Sequence, residues 1–143
     1  MAGMSDFEAD GYLNGRYRST APAVVGTAYV ALLSGDPGRS YSAALELAAT
    51  GGYARVPITK GDAAWSAPAT VGGKRQIANA ALVNFGTASG TWNGGAVIGF
   101  FAIMDSPTIG AGSMLGSGAI QAPKAVGASD PVSFPVGALT VRA

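Results

Sequence analysis

Apolar residues in this chain come in short runs, set apart by clusters of glycine, proline, serine and aspartate. Runs rich in β-branched and aromatic residues between such clusters read as strands of an antiparallel sheet. On this pattern strands are predicted over 27–33, 53–58, 81–85, 96–104, 113–120, 131–134 and 139–142, with a short one around Trp65. Alternation over 53–58 puts Tyr53, Arg55 and Pro57 on one face and Ala54, Val56 and Ile58 on the other. Pro57 marks that strand as an edge, because proline donates nothing to a ladder. Gly72-Gly73-Lys74-Arg75 predicts a tight turn. About eight short strands at regular spacing indicate a β-sandwich or jelly-roll-like barrel.

Two segments break the strand pattern. Ser5-Asp6-Phe7-Glu8 has the Ser-x-x-Glu form of a capping box, which predicts a helix over 6–18. Asp6, Glu8 and Asp10 come early in it and Arg16 and Arg18 late, the order that complements a helix macrodipole. Gly11 and Gly15 each cost about 1 kcal/mol relative to alanine, so docking of Phe7, Leu13 and Tyr17 must supply the difference. Residues 40–49 are good helix formers, with Ser40 as N-cap and Gly51 or Gly52 as stop, and predict a second, shorter helix. The expected fold is a single all-β, antiparallel domain with a short N-terminal helix and a small helical insert. Residues 1–20 form a helical attachment segment, and 21–143 form the sandwich with its insert at 36–50.

A chain of 143 residues is one domain, able to bury roughly 70% of the unfolded surface. Charged residues are only 12% of it, so an isolated copy is poorly protected against association. Much of the surface is therefore expected to be covered by copies of itself or by a larger assembly. A net charge of +1 without a basic stripe argues against a nucleic-acid partner. The longest apolar run, 96–104, is about half the length of a membrane-spanning helix. It reads as a buried strand, and no membrane insertion is expected. The first residues, MAGMSDFEAD, have neither the basic nor the apolar region of a secretory signal.

The residue inventory mostly excludes chemistry. Cysteine and histidine are absent, which removes disulfides, thiolate metal sites and the commonest general base. Lys60, Lys74 and Lys124 are the lysines that could serve a serine nucleophile, and none stands in a Ser-x-x-Lys motif. Asp36, Asp62, Asp105 and Asp130 each lie beside turn residues, so they are predicted to accept hydrogen bonds from loop amides. Gly73-Lys74 lacks the first glycine and the hydroxyl residue of a phosphate loop. Asp6-x-Glu8-x-Asp10-Gly11 opens like a calcium loop, but Tyr17 occupies the place of the terminal carboxylate. No catalytic residue, cofactor or metal is expected. Interaction is left to the aromatics, most of which are expected to be core or subunit contacts; Trp92, flanked by Gly90, Gly94 and Gly95, is the best candidate for an exposed loop aromatic, with Tyr41 second. Together with the helix residues, the candidate interaction set is Phe7, Leu13, Tyr17, Tyr41 and Trp92.

The order of these features resembles a family of small, tail-fibre-like virion proteins of tailed bacteriophages. The residues that carry the resemblance are YVAL at 29–32, GGYAR at 51–55, Phe85-Gly86, Trp92, Asp105, the strand LGSGAI at 115–120, and Phe134-Pro135-Val136-Gly137-Ala138-Leu139. Residues 36–50 depart from the family pattern. The resemblance implies a non-enzymatic structural protein on the exterior of the particle, made in the host cytoplasm and assembled as a homo-oligomer, a trimer by analogy with phage fibres. Its partners would be itself and other virion proteins of the tail or capsid. A tail or fibre location is the first reading, capsid decoration the alternative, and a carbohydrate-binding virion module the third.

Overall fold

The computed structural model describes residues 3–20 and 26–143. Along the chain lie β1 (Gly3–Met4), α1 (Asp6–Tyr17), β2 (Thr27–Leu33), β3 (Val56–Thr59), β4 (Ala69–Val71), β5 (Lys74–Ala78), β6 (Val83–Thr87), β7 (Ile98–Met104), β8 (Met114–Lys124), β9 (Pro131–Phe134) and β10 (Thr140–Arg142). All pairings are antiparallel. A five-stranded sheet, ordered β1-β8-β7-β2-β3, is accompanied by a three-stranded sheet, β10-β5-β4, and the pair β6-β9. The expected sandwich-like, mostly β architecture is what forms, with no barrel closure.

β2 and β7 are the strands whose sequences are unbroken apolar runs, and the structure gives the reason. Val30, Leu32, Phe101 and Ile103 face the main core, while Ala31, Leu33, Ala102 and Met104 face a second cluster with Met114, Tyr41 and Phe100. With both faces covered, these strands lose the alternation of a half-exposed strand. The edges behave differently. β3, at one end of the sheet, carries Pro57 as expected of an edge strand.

The glycines of LGSGAI are explained by a close crossing. A Cβ on Gly118 would lie 2.6 Å from both the Phe101 ring and the Thr140 carbonyl oxygen, and one on Gly116 would lie 2.7 Å from the Val141 side chain. Only glycine lets the C-terminal segment pack this tightly onto β8. Asn79, almost fully buried, ties the neighbouring loops together. Its side-chain nitrogen donates to Ala81 O and Pro135 O, and its oxygen accepts from Leu139 N.

Helix α1 forms as expected, with Ser5 as N-cap accepting from the Glu8 amide at 3.1 Å. The reciprocal half of the capping box gives way to the sheet, because the Ser5 amide donates to Leu115 O instead. The predicted helix over 40–49 does not form. Ala43–Leu45 makes a single 3-10 turn, with Ser42 rather than Ser40 before it. Ser34 N donates to Leu45 O, Leu47 N donates to Leu32 O, and Glu46 bridges to Leu33. Pairing with the end of β2 thus outcompetes the local helix propensity of these residues. Trp65 contributes only an isolated bridge to Asn79. The predicted turn at Gly72-Gly73 joins β4 to β5, two strands whose largely exposed residues gave no apolar signal.

Gly118→Ala is expected to cost about 1–3 kcal/mol by overpacking. Gly99→Ala, where an added Cβ meets nothing within 4 Å, is expected to be near neutral. Urea unfolding of the two variants measures the contrast, and equal stability would refute the crossing as the reason for Gly118.

Candidate interaction site

The segment 36–50 is held by a buried ion pair. Glu46 lies beside the end of β2 and Arg55 just before β3, and both side chains are fully inaccessible to solvent. Arg55 grips the carboxylate in bidentate fashion, Nε to Oε1 at 2.7 Å and Nη2 to Oε2 at 2.6 Å. Its remaining nitrogen, Nη1, donates to Ser106 O and Ala111 O at 2.7 and 2.9 Å. Glu46 also accepts from the hydroxyls of Tyr53 and Tyr41 and from Gly110 N. Tyr53 in turn accepts from Leu32 N at 3.0 Å. The Arg55 guanidinium lies 5.7 Å from the centre of the Tyr41 ring. A buried pair is tolerable only when the remaining donors and acceptors are also satisfied, and here they are.

The pair joins two loops that are remote in sequence. On one side is the excursion between β2 and β3; on the other is the β7–β8 loop, which carries Ser106, Gly110 and Ala111. Asp105 closes the second loop, its carboxylate accepting from Ser113 N at 2.7 Å. Asp36 and Asp130 accept from Gly38 N and Gly127 N in the same way. Three of the four singled-out aspartates are therefore turn-formers, as their neighbours suggested.

The electrostatics follow from the contacts. Burial alone would raise the pKa of Glu46. The hydrogen bonds from Arg55, Tyr41 and Gly110, with the charge of Arg55, together outweigh it and hold the carboxyl below its ordinary value. Burial would lower the pKa of Arg55, but the Glu46 carboxylate reverses that and raises it. Burial, reinforced by Glu46, pushes Tyr41 up to about 12, and burial raises Tyr53 as well. All four groups keep one protonation state across the neutral range. They form a structural clamp rather than an acid–base device.

The candidate interaction residues fall in three places. Phe7, Leu13 and Tyr17 lie on α1 and are 48%, 51% and 76% exposed. Tyr12, which sequence reasoning passed over, is 60% exposed on the same helix. No residue of α1 is buried, so among the described residues the expected docking is only partial, with Phe7 and Leu13 left about half exposed. Tyr41 is half-buried in the clamp, and its loop meets the helix start, where Asp6 N donates to Arg39 O and Asp6 pairs with Arg39.

Trp92 is not an exposed loop aromatic. It is 1% exposed, edge-on to Tyr53 and Phe85, with Nε1 donating to Gly51 O at 2.7 Å. Gly51, at φ +61°, leaves no room for a side chain, since a Cβ there would meet Gly90 at 2.7 Å and the indole at 2.9 Å. The glycines around Trp92 let the backbone fold the ring inward. Sequence reasoning also missed Glu46 as a functional residue. Its one available signal was an isolated acid close to an isolated base in a chain of few charges.

A cleft of about 340 Å³ opens beside the start of α1. It is lined by Met4, Trp65, Ile77, Leu115 and Val141, with Glu8, Arg75 and Arg142 as its charged members. The calcium-like run Asp6-x-Glu8-x-Asp10 lies on helix rather than loop, which spreads its carboxylates around the axis instead of gathering them on an ion.

A rigid sandwich with braced loops, whose best-organised polar cluster is a buried clamp, is the build of a structural module. A family match running over residues 3–142 places the chain among the tail-fibre-like structural proteins of tailed phages, as a virion component. It belongs to the family described as podophage GP4 fiber I protein gp80. No curated protein matches it.

Arg55→Met strands a buried carboxylate and is expected to cost about 3–5 kcal/mol. Adding Glu46→Leu to it is expected to recover part of that loss, and urea unfolding of both variants measures the difference. Because the folded pKa of Glu46 is depressed, its contribution is present above the ordinary glutamate range and lost as pH falls through the folded value. Glu46→Gln should therefore show a shallower loss of stability on acidification than the wild type, measured as thermal midpoint against pH. Parallel curves would remove Glu46 as an acid-sensitive group.

Proposed function

We propose that this protein is a non-enzymatic, homo-oligomeric module on the exterior of a tailed-phage particle, associated with a tail fibre. The observation that carries the reading is the family match, which spans the sandwich and α1 alike. The fibre description favours a tail location over capsid decoration. Support for self-assembly comes from a surface with few charges and from a helix whose large apolar side chains stay about half or more exposed among the described residues. In this reading residues 21–143 form the body and residues 1–20 the assembly segment. Threefold symmetry is the expectation carried by analogy with phage fibres. The partners are further copies and neighbouring virion proteins. Synthesis takes place in the host cytoplasm before incorporation.

Counting the protein in purified virions by quantitative mass spectrometry, against the major capsid protein, tests this directly. A small fixed number of copies is expected. One copy per few capsid subunits would instead mean head decoration, and absence from the particle would overturn the proposal.

A further inference from the structure

Helix α1 carries a surface that is complementary to itself. Asp6, Asp10, Leu13 and Tyr17 follow one another at intervals of four, three and four residues, the spacing that aligns side chains on one helix face, and all four are exposed. Charge divides along the same helix. Asp6, Glu8 and Asp10 lie in its first half and Arg16 and Arg18 at its end. Arg39, from the β2–β3 excursion, pairs with Asp6, and Glu8 lines the cleft on the opposite side of the helix, so the charges that bear on this face are Asp10 and, flanking it, Arg16. At twelve residues with two glycines and no buried side chain, α1 is shorter than a helix that persists alone in water.

We propose that α1 pairs antiparallel with the α1 of a second copy, about a twofold axis through Leu13. This rests on the homo-oligomer reading above and names its contact. Antiparallel pairing sets the acidic half of each helix beside the basic half of the other and opposes the two macrodipoles. A parallel pair, or a parallel threefold bundle, would set acid on acid and base on base. A surface that complements itself under a half-turn is what a twofold contact requires. With Leu13 on the axis, Leu13 meets its own copy, Tyr17 lies over Ala9 of the second copy, and Asp10 is level with Arg16. Exposed aromatic and aliphatic side chains thereby gain cover on both molecules. If the body assembles as a trimer, pairing of its three helices with those of another trimer gives a particle of six.

Sedimentation velocity of the full chain is the first test. The wild type is expected to contain an even number of copies, and Leu13→Asp half as many, with an unchanged circular dichroism spectrum. Should Leu13→Asp fail to fold, two charge variants decide the matter. Arg16→Glu, and separately Asp10→Lys, should each halve the mass, and mixing the two proteins should restore it. The chain has no cysteine, so orientation is read by disulfide trapping. Leu13→Cys is expected to cross-link with itself. Asp10→Cys and Tyr17→Cys are expected to cross-link with each other and not with themselves. Self-cross-linking at position 10 would show a parallel contact and overturn the proposal. Variants with the mass of the wild type would overturn it while leaving homo-oligomerisation standing. A wild type that stays monomeric at every concentration would sink both.

Discussion

The bidentate contact between Glu46 and Arg55 sets the geometry of the excursion between β2 and β3. Two ions have been taken out of water, and the cost is offset only because nearly every donor and acceptor around them is matched. The pairing is demanding in direction as well as energy, since a planar guanidinium accepts few arrangements of its partners. Ser106, Gly110 and Ala111 are held by these same groups, so the β7–β8 loop cannot shift without leaving a buried charge or carbonyl unmet. A segment that would otherwise be a mobile excursion is converted into a fixed ledge. The apolar core below it, with Trp92, Tyr53, Phe85 and Phe134 in edge contacts and offset stacking, supplies the bulk of the burial.

Body and surface follow opposite rules. In the body, two strands are covered on both faces, glycines admit a crossing strand, and a single asparagine satisfies three backbone groups at once. On the surface, α1 is anchored at its start, through the Ser5 and Asp6 amides and the Arg39 ion pair, while its large side chains stay about half or more exposed. This division suits a component whose fold is completed before assembly and whose contacts are added afterwards.

Strands were legible in the sequence wherever burial was two-sided. The limits of β2 and β9 agree with the sequence reading to the residue, β2 as an apolar run and β9 as a short alternation of exposed and buried positions, each bounded by turn residues. β4 and β5 escaped notice because they are largely exposed, so polar residues such as Lys74, Arg75 and Gln76 carry no periodic apolar signal. Residues 40–49 misled because helix propensity is local, whereas their pairing with β2 and the salt bridge to Arg55 are not. Trp92 misled for a related reason: flanking glycines mark a sharp path of the chain, and the sequence alone does not say whether that path turns an indole outward or in. Of the candidate site, Phe7, Leu13 and Tyr17 were expected to dock, and their exposure of about half or more is visible only in the structure. Glu46 was not legible in the sequence, since partners far apart in the chain, Gly110 above all, define its role.

Pro57 has a consequence for how copies can safely crowd together. It sits in the middle of β3, the last strand at one end of the main sheet, while the strand at the other end, β1, is only two residues long. Components of a particle are concentrated during its construction, and concentration is the condition under which open sheet edges template one another into amyloid-like stacks. A strand lacking one donor offers an incoming chain an interrupted ladder, whereas the two residues of β1 cover only Gly116 and Ser117 of β8. The Pro57 edge thus acts as a terminator, which keeps crowding during construction separate from aggregation.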